Sequence, residues 1–286
     1  MKKYLITLRA YHWTKNILVF APLFFAHQFD YDSINEAAIA FLSFCVVASL
    51  IYIINDIRDI KFDKLHSTKS LRPIASGQIS QSSVVFLIII LIILSAVLSL
   101  NAKIAFTKIL FAYFLLAMLY TYLLKKIIYL DLIILTSFYI IRIFAGGVVI
   151  DAPVTTWLII FSFLLFLSLA LIKRITEVQK YADSDLIEMG KSYTKKNLGM
   201  LYKFTKIAQF LALFTLSLYI FIAAPDLYSK YLYLILSVVI FYFWFNHVLT
   251  TTKNNNMKDD PIIFAIFDPL SYFSFISIIA IFVLAI

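Results

Sequence analysis

The sequence predicts an all-α integral membrane protein, and three observations carry that prediction. Of the 286 residues, 63% are hydrophobic and only 14% are charged, where a soluble domain carries about 25% charged residues. The apolar residues fall in runs that approach or exceed the roughly 20 residues a helix needs to cross a bilayer. The basic residues are also unevenly placed. With the N-terminus in the cytoplasm, every one of the 25 lysines and arginines except Lys103, Lys108, Lys230 and Arg142 falls on the cytoplasmic side, the asymmetry expected of cytoplasmic loops.

Taken in order, the runs give nine transmembrane helices, near 14–29, 35–55, 83–101, 105–124, 128–149, 155–173, 205–223, 231–249 and 268–286, forming one domain over 1–286. The first follows a basic start, as in a signal peptide. Trp13, Lys15 and Asn16 interrupt the segment that would have to be apolar, so it reads as an uncleaved first span. The second ends in a hydrophilic stretch, Asn55 to Gly77. Asn101–Lys103, Lys125–Lys126, Asp151–Pro153 and Ala224–Lys230 read as short turns. The long connections, 56–82, 174–204 and 250–267, all lie on the cytoplasmic face and predict a single polar chamber there. The spans are apolar all round, which argues against a water-filled channel and for a pocket open to lipid. Gly146 and Gly147 permit close helix packing.

Composition also excludes. The net charge of +9 is accounted for by loops that face anionic lipid or phosphate ligands, not nucleic acid. Cys45 is the lone cysteine, so neither an intrachain disulfide nor a cysteine metal cluster can form. The five glycines, at 77, 146, 147, 190 and 199, cannot build GxGxxG or GxxxxGK[ST], and the glycine-dependent CDP-alcohol phosphotransferase motif is missing too. Phosphate must therefore be held by metal, lysine and arginine.

The stretch NDIRDIKFDKLHSTKSLRPIASG supplies such groups. Asp56, Asp59 and Asp63 are spaced i, i+3 and i+7, within roughly 60° of one another on a helix. Carboxylates so placed repel unless a cation sits among them. Oxygen ligands of this kind suit Mg²⁺, which takes one or two carboxylates and completes its shell with waters and substrate phosphate. Asn55 adds a neutral oxygen, and His66, Lys69 and Arg72 can neutralise phosphate oxygens. The plainer reading is a solvated loop of mixed charge.

Further polar residues are read in the same two ways. Lys15 and Asn16 mark the cytoplasmic end of the first span, with Lys15 either a snorkelling anchor or a group reaching the chamber. Lys173, Arg174 and Glu177 end the sixth span as KRITE, either a positive-inside anchor or a phosphate-binding rim. Tyr129 and Asp131 start the fifth span. Arg142 lies deep within that span, where a charge needs a partner; Asp131 about three turns away and lipid phosphate are both open to it. Asp259 and Asp260 are solvated loop or a second acidic wall. Asp268, before Pro269, is a helix N-cap or a site residue. No chemistry is assigned to His27 or His247, and no His–carboxylate dyad is expected.

NDIRDIKFD followed by RPIASG, placed at the end of the second of nine spans, resembles the UbiA-type membrane prenyltransferase superfamily over essentially the whole chain. That superfamily usually carries a second motif, DxxxD, after span six, where this sequence has KRITE. The departure looks like the decaprenyl-phosphate phosphoribosyltransferase branch. It rests on Trp13-Thr14-Lys15-Asn16, on His66, Lys69 and Arg72, on Tyr129-Leu130-Asp131 with Arg142 to Gly147, on Lys173-Arg174 with Glu177, and on Asp259-Asp260-Pro261. The resemblance implies a Mg²⁺-dependent transferase of the inner membrane that moves 5-phosphoribosyl from phosphoribosyl diphosphate to a polyprenyl phosphate. Its product would feed cell-envelope glycan synthesis, with an arabinan precursor as the family's suggestion. The alternatives are an aromatic prenyltransferase of quinone or haem synthesis and a non-enzymatic polyprenyl-lipid carrier.

Overall fold

The computed structural model describes residues 2–65, 69–183, 193–258 and 260–286. It is helical, with no strand among the described residues. Seven helices are long and apolar enough to cross a membrane, or eight if one bent pair counts as a span. After the short helices Lys2–Thr7 (α1) and Ala21–Phe25 (α2), the first five of these are Tyr31–Arg58 (α3), Gln81–Leu100 (α5), Ile104–Tyr122 (α6), Leu130–Val149 (α7) and Thr156–Lys180 (α8), with the short helix Ile60–Leu65 (α4) between the first two. Leu198–Ile222 (α9), Ile235–Lys253 (α10), Pro261–Phe267 (α11) and Pro269–Ala285 (α12) complete the chain.

The departure from nine continuous spans lies at the two ends. Residues Ala10–Phe20 form a 3-10 helix that runs into α2, where Pro22 stands at the helix start, and His27 ends it with φ 56°. Asn16 is 1% exposed there, so this apolar run buries an amide against its own unit and is not one long α-helix. At the other end α11 and α12 meet at 81°. Asp268, which precedes Pro269, is extended at φ −85°, ψ 121°. Proline disfavours the helical region for the residue before it, and the Asp268 carboxylate caps the new helix by accepting from Ser271 N at 2.8 Å.

The described chain clusters into two compact units, one of Met1–Lys125 with Phe138–Val154, the other of Lys126–Ser137 with Thr155–Ile286. In the first unit α3 is central. Asp30 caps its start by accepting from Ser33 N at 2.9 Å. Phe44, Val47 and Ile51 pack with Val19, Phe106, Leu110 and Ala145, while Val46, Leu50 and Ile53 pack with Ile79, Val84 and Leu91. These two apolar faces bury the middle of the helix, Ser43–Ile51, all round. Outward-facing Phe86, Ile89, Ile92 and Ile93 on α5 are exposed, as suits contact with lipid. Gly146 meets the backbone of Val19 so closely that a Cβ would collide with its carbonyl. In the second unit α8 packs on α9 through Ala170, Leu171, Ile175, Val178, Leu201 and Ala208.

Candidate functional site

The aspartate motif sits where α3 breaks. The helix ends at Arg58, Asp59 has φ −91° and ψ 8°, and α4 begins at Ile60. The i→i−4 bonding continues through the break, Asp59 N to Asn55 O at 2.9 Å and Asp63 N to Asp59 O at 2.8 Å. The expected single stripe of three carboxylates is therefore altered. Asp56 and Asp63, each 3% exposed, are drawn together, and Asp59 is left half-exposed at the break.

What draws them together is arginine. Arg72 Nη1 donates to Asp63 Oδ2 at 2.7 Å and to Asp56 Oδ1 at 3.2 Å. Arg9 Nη2 donates to the same Asp56 oxygen, and its guanidinium lies over the Tyr52 ring, 4.7 Å from the centroid. The RPIASG segment is the turn that presents Arg72. Its carbonyl accepts from Ser76 N at 2.9 Å and Ser76 Oγ at 2.8 Å, Ala75 is buried, and Gly77 closes the turn at φ 73°. That left-handed conformation disfavours any residue with a Cβ. Next to Asp56 in sequence, the Oδ1 atom of Asn55 is buried without a hydrogen-bond partner, which in a native structure calls for an explanation such as an ion or a catalytic role.

Among the described residues no three His, Cys, Asp or Glu side chains converge tightly enough to hold a metal. Mg²⁺ does not require three. It commonly takes one or two carboxylates and fills the rest with water and phosphate. Asp56, Asp63 and the orphaned Asn55 oxygen fit that demand.

Arg142, in the same unit, is 5% exposed. It donates to Asn16 Oδ1 at 2.7 Å, to the Phe138 carbonyl at 2.5 Å and to Tyr113 Oη at 2.7 Å; Asn16 in turn donates to Cys45 Sγ at 3.2 Å. Asp131 is not its partner. Three turns of helix span about 16 Å, beyond the reach of the pair. At the opposite end of α3, Lys103 joins Glu36 at 3.3 Å and Asp151 at 2.7 Å.

Asp131 belongs to a cluster of the second unit. Arg174, 2% exposed, donates from Nε to Asp131 Oδ2 at 2.6 Å and from Nη1 to Glu177. Tyr193 Oη donates to Asp131 Oδ1 at 2.8 Å and accepts from Tyr129 N at 2.8 Å, with Tyr129 held at φ 66°. Burial pushes the Tyr193 phenol well above its usual pKa. Arg174, expected at a phosphate-binding rim, is thus enclosed between two carboxylates. Lys15, Lys69 and Lys173 are half-buried; His66 and Asp259 lie outside the described residues. Asp260 caps α11 by accepting from Ile262 N at 3.0 Å. A His–carboxylate pair does exist, contrary to expectation. His247 Nε2 lies 3.1 Å from Asp268 Oδ2, and Ser271, which also bonds Asp268, accepts from Trp244 Nε1 at 2.9 Å.

Sequence reasoning missed Arg9, Tyr193 and His247. Arg9 reads as one more basic anchor, Tyr193 is one of 18 tyrosines, and the partner of His247 is created by a helix bend.

The family model described as "UbiA prenyltransferase family" matches residues 17–279. The chain belongs to this family. It is 29% identical to uncharacterized protein y4nM of Sinorhizobium fredii over all of its own length but 56% of that protein's. It is 28% identical to nodulation protein NoeC of Azorhizobium caulinodans over 91% of this chain and 85% of that one. To the decaprenyl-phosphate phosphoribosyltransferase of Mycolicibacterium smegmatis it is 33% identical over 70% of this chain and 65% of that one. The chain thus spans little more than half of the first of these relatives and just under two thirds of the third. In fold it resembles a UbiA homolog from Archaeoglobus fulgidus, bound to GPP and Mg²⁺, with a TM-score of 0.69 and 18% identity over 96% of this chain and 99% of that one.

Proposed function

We propose that this UbiA-family protein transfers 5-phosphoribosyl from phosphoribosyl diphosphate to a polyprenyl phosphate at the cytoplasmic face of the inner membrane, releasing pyrophosphate. One observation carries the reading. In the aspartate motif Asp56 and Asp63 are buried about one shared arginine and Asn55, next in sequence, has an unpartnered amide oxygen, which supports a metal site there, while the place of the second aspartate motif is taken by Arg174 closed onto Asp131 and Glu177. Likeness to phosphoribosyltransferase relatives over most of the chain supports the donor assignment.

Bound Mg²⁺ would supply Lewis-acid neutralisation of the diphosphate leaving group, held by Asp56, Asp63 and Asn55, with Asp59 nearby in sequence. The side chains do the rest. Arg72 stands beside those carboxylates to meet anionic oxygens and Arg9 holds Asp56; Lys15 and Lys69 are candidates for phosphate in the first unit, and Lys173 is one in the second. The bond from ribose C1 to the diphosphate oxygen breaks and pyrophosphate leaves with the electron pair. A bond from the acceptor phosphate oxygen to C1 forms through an oxocarbenium-like state. The acceptor is already anionic, so no general base is needed.

Prenyl transfer to an aromatic acceptor is the second reading, favoured by the fold likeness to a homolog bound to GPP. The assay is direct. Purified protein in nanodiscs receives Mg²⁺, radiolabelled phosphoribosyl diphosphate and a polyprenyl phosphate. Labelled lipid and stoichiometric pyrophosphate are expected. Label that stays in the donor, with geranyl diphosphate consumed in the presence of an aromatic acid, would overturn the reading.

A further inference from the structure

The carboxylates that would hold a metal are already neutralised by the chain itself. Asp56 and Asp63 carry two negative charges and Arg9 and Arg72 two positive ones, all within one cluster. Adding a divalent cation to that balanced set leaves two uncompensated positive charges beside carboxylates that are 3% exposed, a costly state in a poorly solvated place. Adding the cation together with a diphosphate restores the balance. We infer that Arg72 is an exchangeable counter-ion, bonded to Asp56 and Asp63 in the absence of metal and released to diphosphate oxygens when metal takes those carboxylates, so that metal and diphosphate bind cooperatively.

Geometry assigns the exchange to Arg72 and not to Arg9. One nitrogen of Arg72 is shared between two carboxylates, at 2.7 and 3.2 Å, so one side-chain motion frees both. Its side chain is 26% exposed, against 15% for Arg9, and its backbone is fixed by the Ser76 turn, so only the side chain need swing. Arg9 is stacked on Tyr52 and touches only Asp56 in this cluster, which suits a counter-ion that stays. The Asn55 oxygen has no partner, and one neutral oxygen is too little alone to hold the ion. Both charge partners of Arg72 are oxyanions, and guanidinium binds carboxylate and phosphate with the same fork of donors. The exchange therefore trades like for like.

The inference rests on the metal–diphosphate reading of this site but not on the sugar. Its test uses Mn²⁺ as a spin probe and pyrophosphate as the anion, with no transfer required. Free Mn²⁺ is followed by electron paramagnetic resonance as parent protein in nanodiscs is titrated, and labelled pyrophosphate retained on the nanodiscs is measured across Mg²⁺ concentrations. In the parent, Mg²⁺ should tighten pyrophosphate binding by about tenfold or more, and Mn²⁺ alone should bind weakly. Arg72→Gln should bind Mn²⁺ alone about tenfold more tightly and lose most of the coupling. Arg72→Lys, which keeps the charge and folds if the glutamine variant does not, should retain part of the coupling. Parent protein that binds Mn²⁺ equally with and without pyrophosphate overturns the exchange, as does a glutamine or lysine variant with unchanged coupling. Failure of ribosyl transfer with coupling intact would remove only the donor assignment.

Discussion

Two clusters of arginine and carboxylate are built from the same parts and differ in what they leave undone. In the first unit Asp56 and Asp63 share Arg72, Asp56 also takes Arg9, both arginines keep some exposure, and the amide oxygen of Asn55, next to Asp56 in sequence, has no partner. In the second, Arg174 is 2% exposed and is bonded to Asp131 of α7 and Glu177 of its own helix, and Tyr193 fills the remaining Asp131 oxygen while tying down Tyr129. A buried charge with its hydrogen bonds complete fixes structure and has nothing to offer a ligand. A charge pair with a spare acceptor at its side can change partners. Arginine and carboxylate are thus left open to exchange in one place and closed in the other.

The sharpest way to break that contrast is Asp56→Ala. Transfer in the nanodisc assay should fall about a thousandfold, the loss expected when a metal's charge stabilisation of several kcal/mol is removed. Activity within tenfold of the parent would make the first cluster as inert as the second. Arg174→Met should do the opposite. Breaking a buried pair by removing one partner costs about 3–5 kcal/mol, read as lost resistance to denaturant, with the KM for the donor unchanged in folded protein. A raised KM at full stability would turn the second cluster into a ligand site.

Smaller effects sharpen the comparison. Tyr193→Phe leaves Asp131 and the Tyr129 N–H short of a bond, costing about 1–3 kcal/mol by denaturant titration. Its pH dependence has a definite sign. Because the folded-state phenol is held above its unfolded value of about 10, its contribution is full below that pH and is lost as pH rises through the folded value. The variant should lose stability less steeply than the parent at alkaline pH; parallel curves would show that this hydroxyl is not specially held. Gly77→Ala, forced into a left-handed conformation, should cost about 1–2 kcal/mol. By loosening the turn that carries Arg72 it should also lower Mg²⁺-dependent pyrophosphate retention a few-fold, and an unchanged retention would mean the turn is not what aims Arg72.

Much of this was readable from the residues. The interior spans follow from apolar runs closed by polar caps, such as Asp30 before α3. The motif from Asn55 to Gly77 stands out because nothing else in the chain resembles it. The rest depended on contacts between distant residues. An i, i+3, i+7 pattern is satisfied equally by a continuous helix and by one broken at Asp59, so the spacing could not show that Asp56 and Asp63 share Arg72 while Asp59 stays half-exposed. Arg9 meets Asp56 across 47 positions, and no local pattern announces that. The first apolar run looked like a span because hydropathy does not register that Asn16 is turned inward onto Arg142 or that Pro22 restarts the helix.

That inward turn has an electrical consequence. The hydrogen-bond partners of Arg142, the Asn16 amide, the Tyr113 hydroxyl and the Phe138 carbonyl, are all neutral, so the guanidinium keeps its full unit of charge deep in a membrane-spanning helix. A positive centre ringed by neutral dipoles repels a second cation and favours an anion beside it.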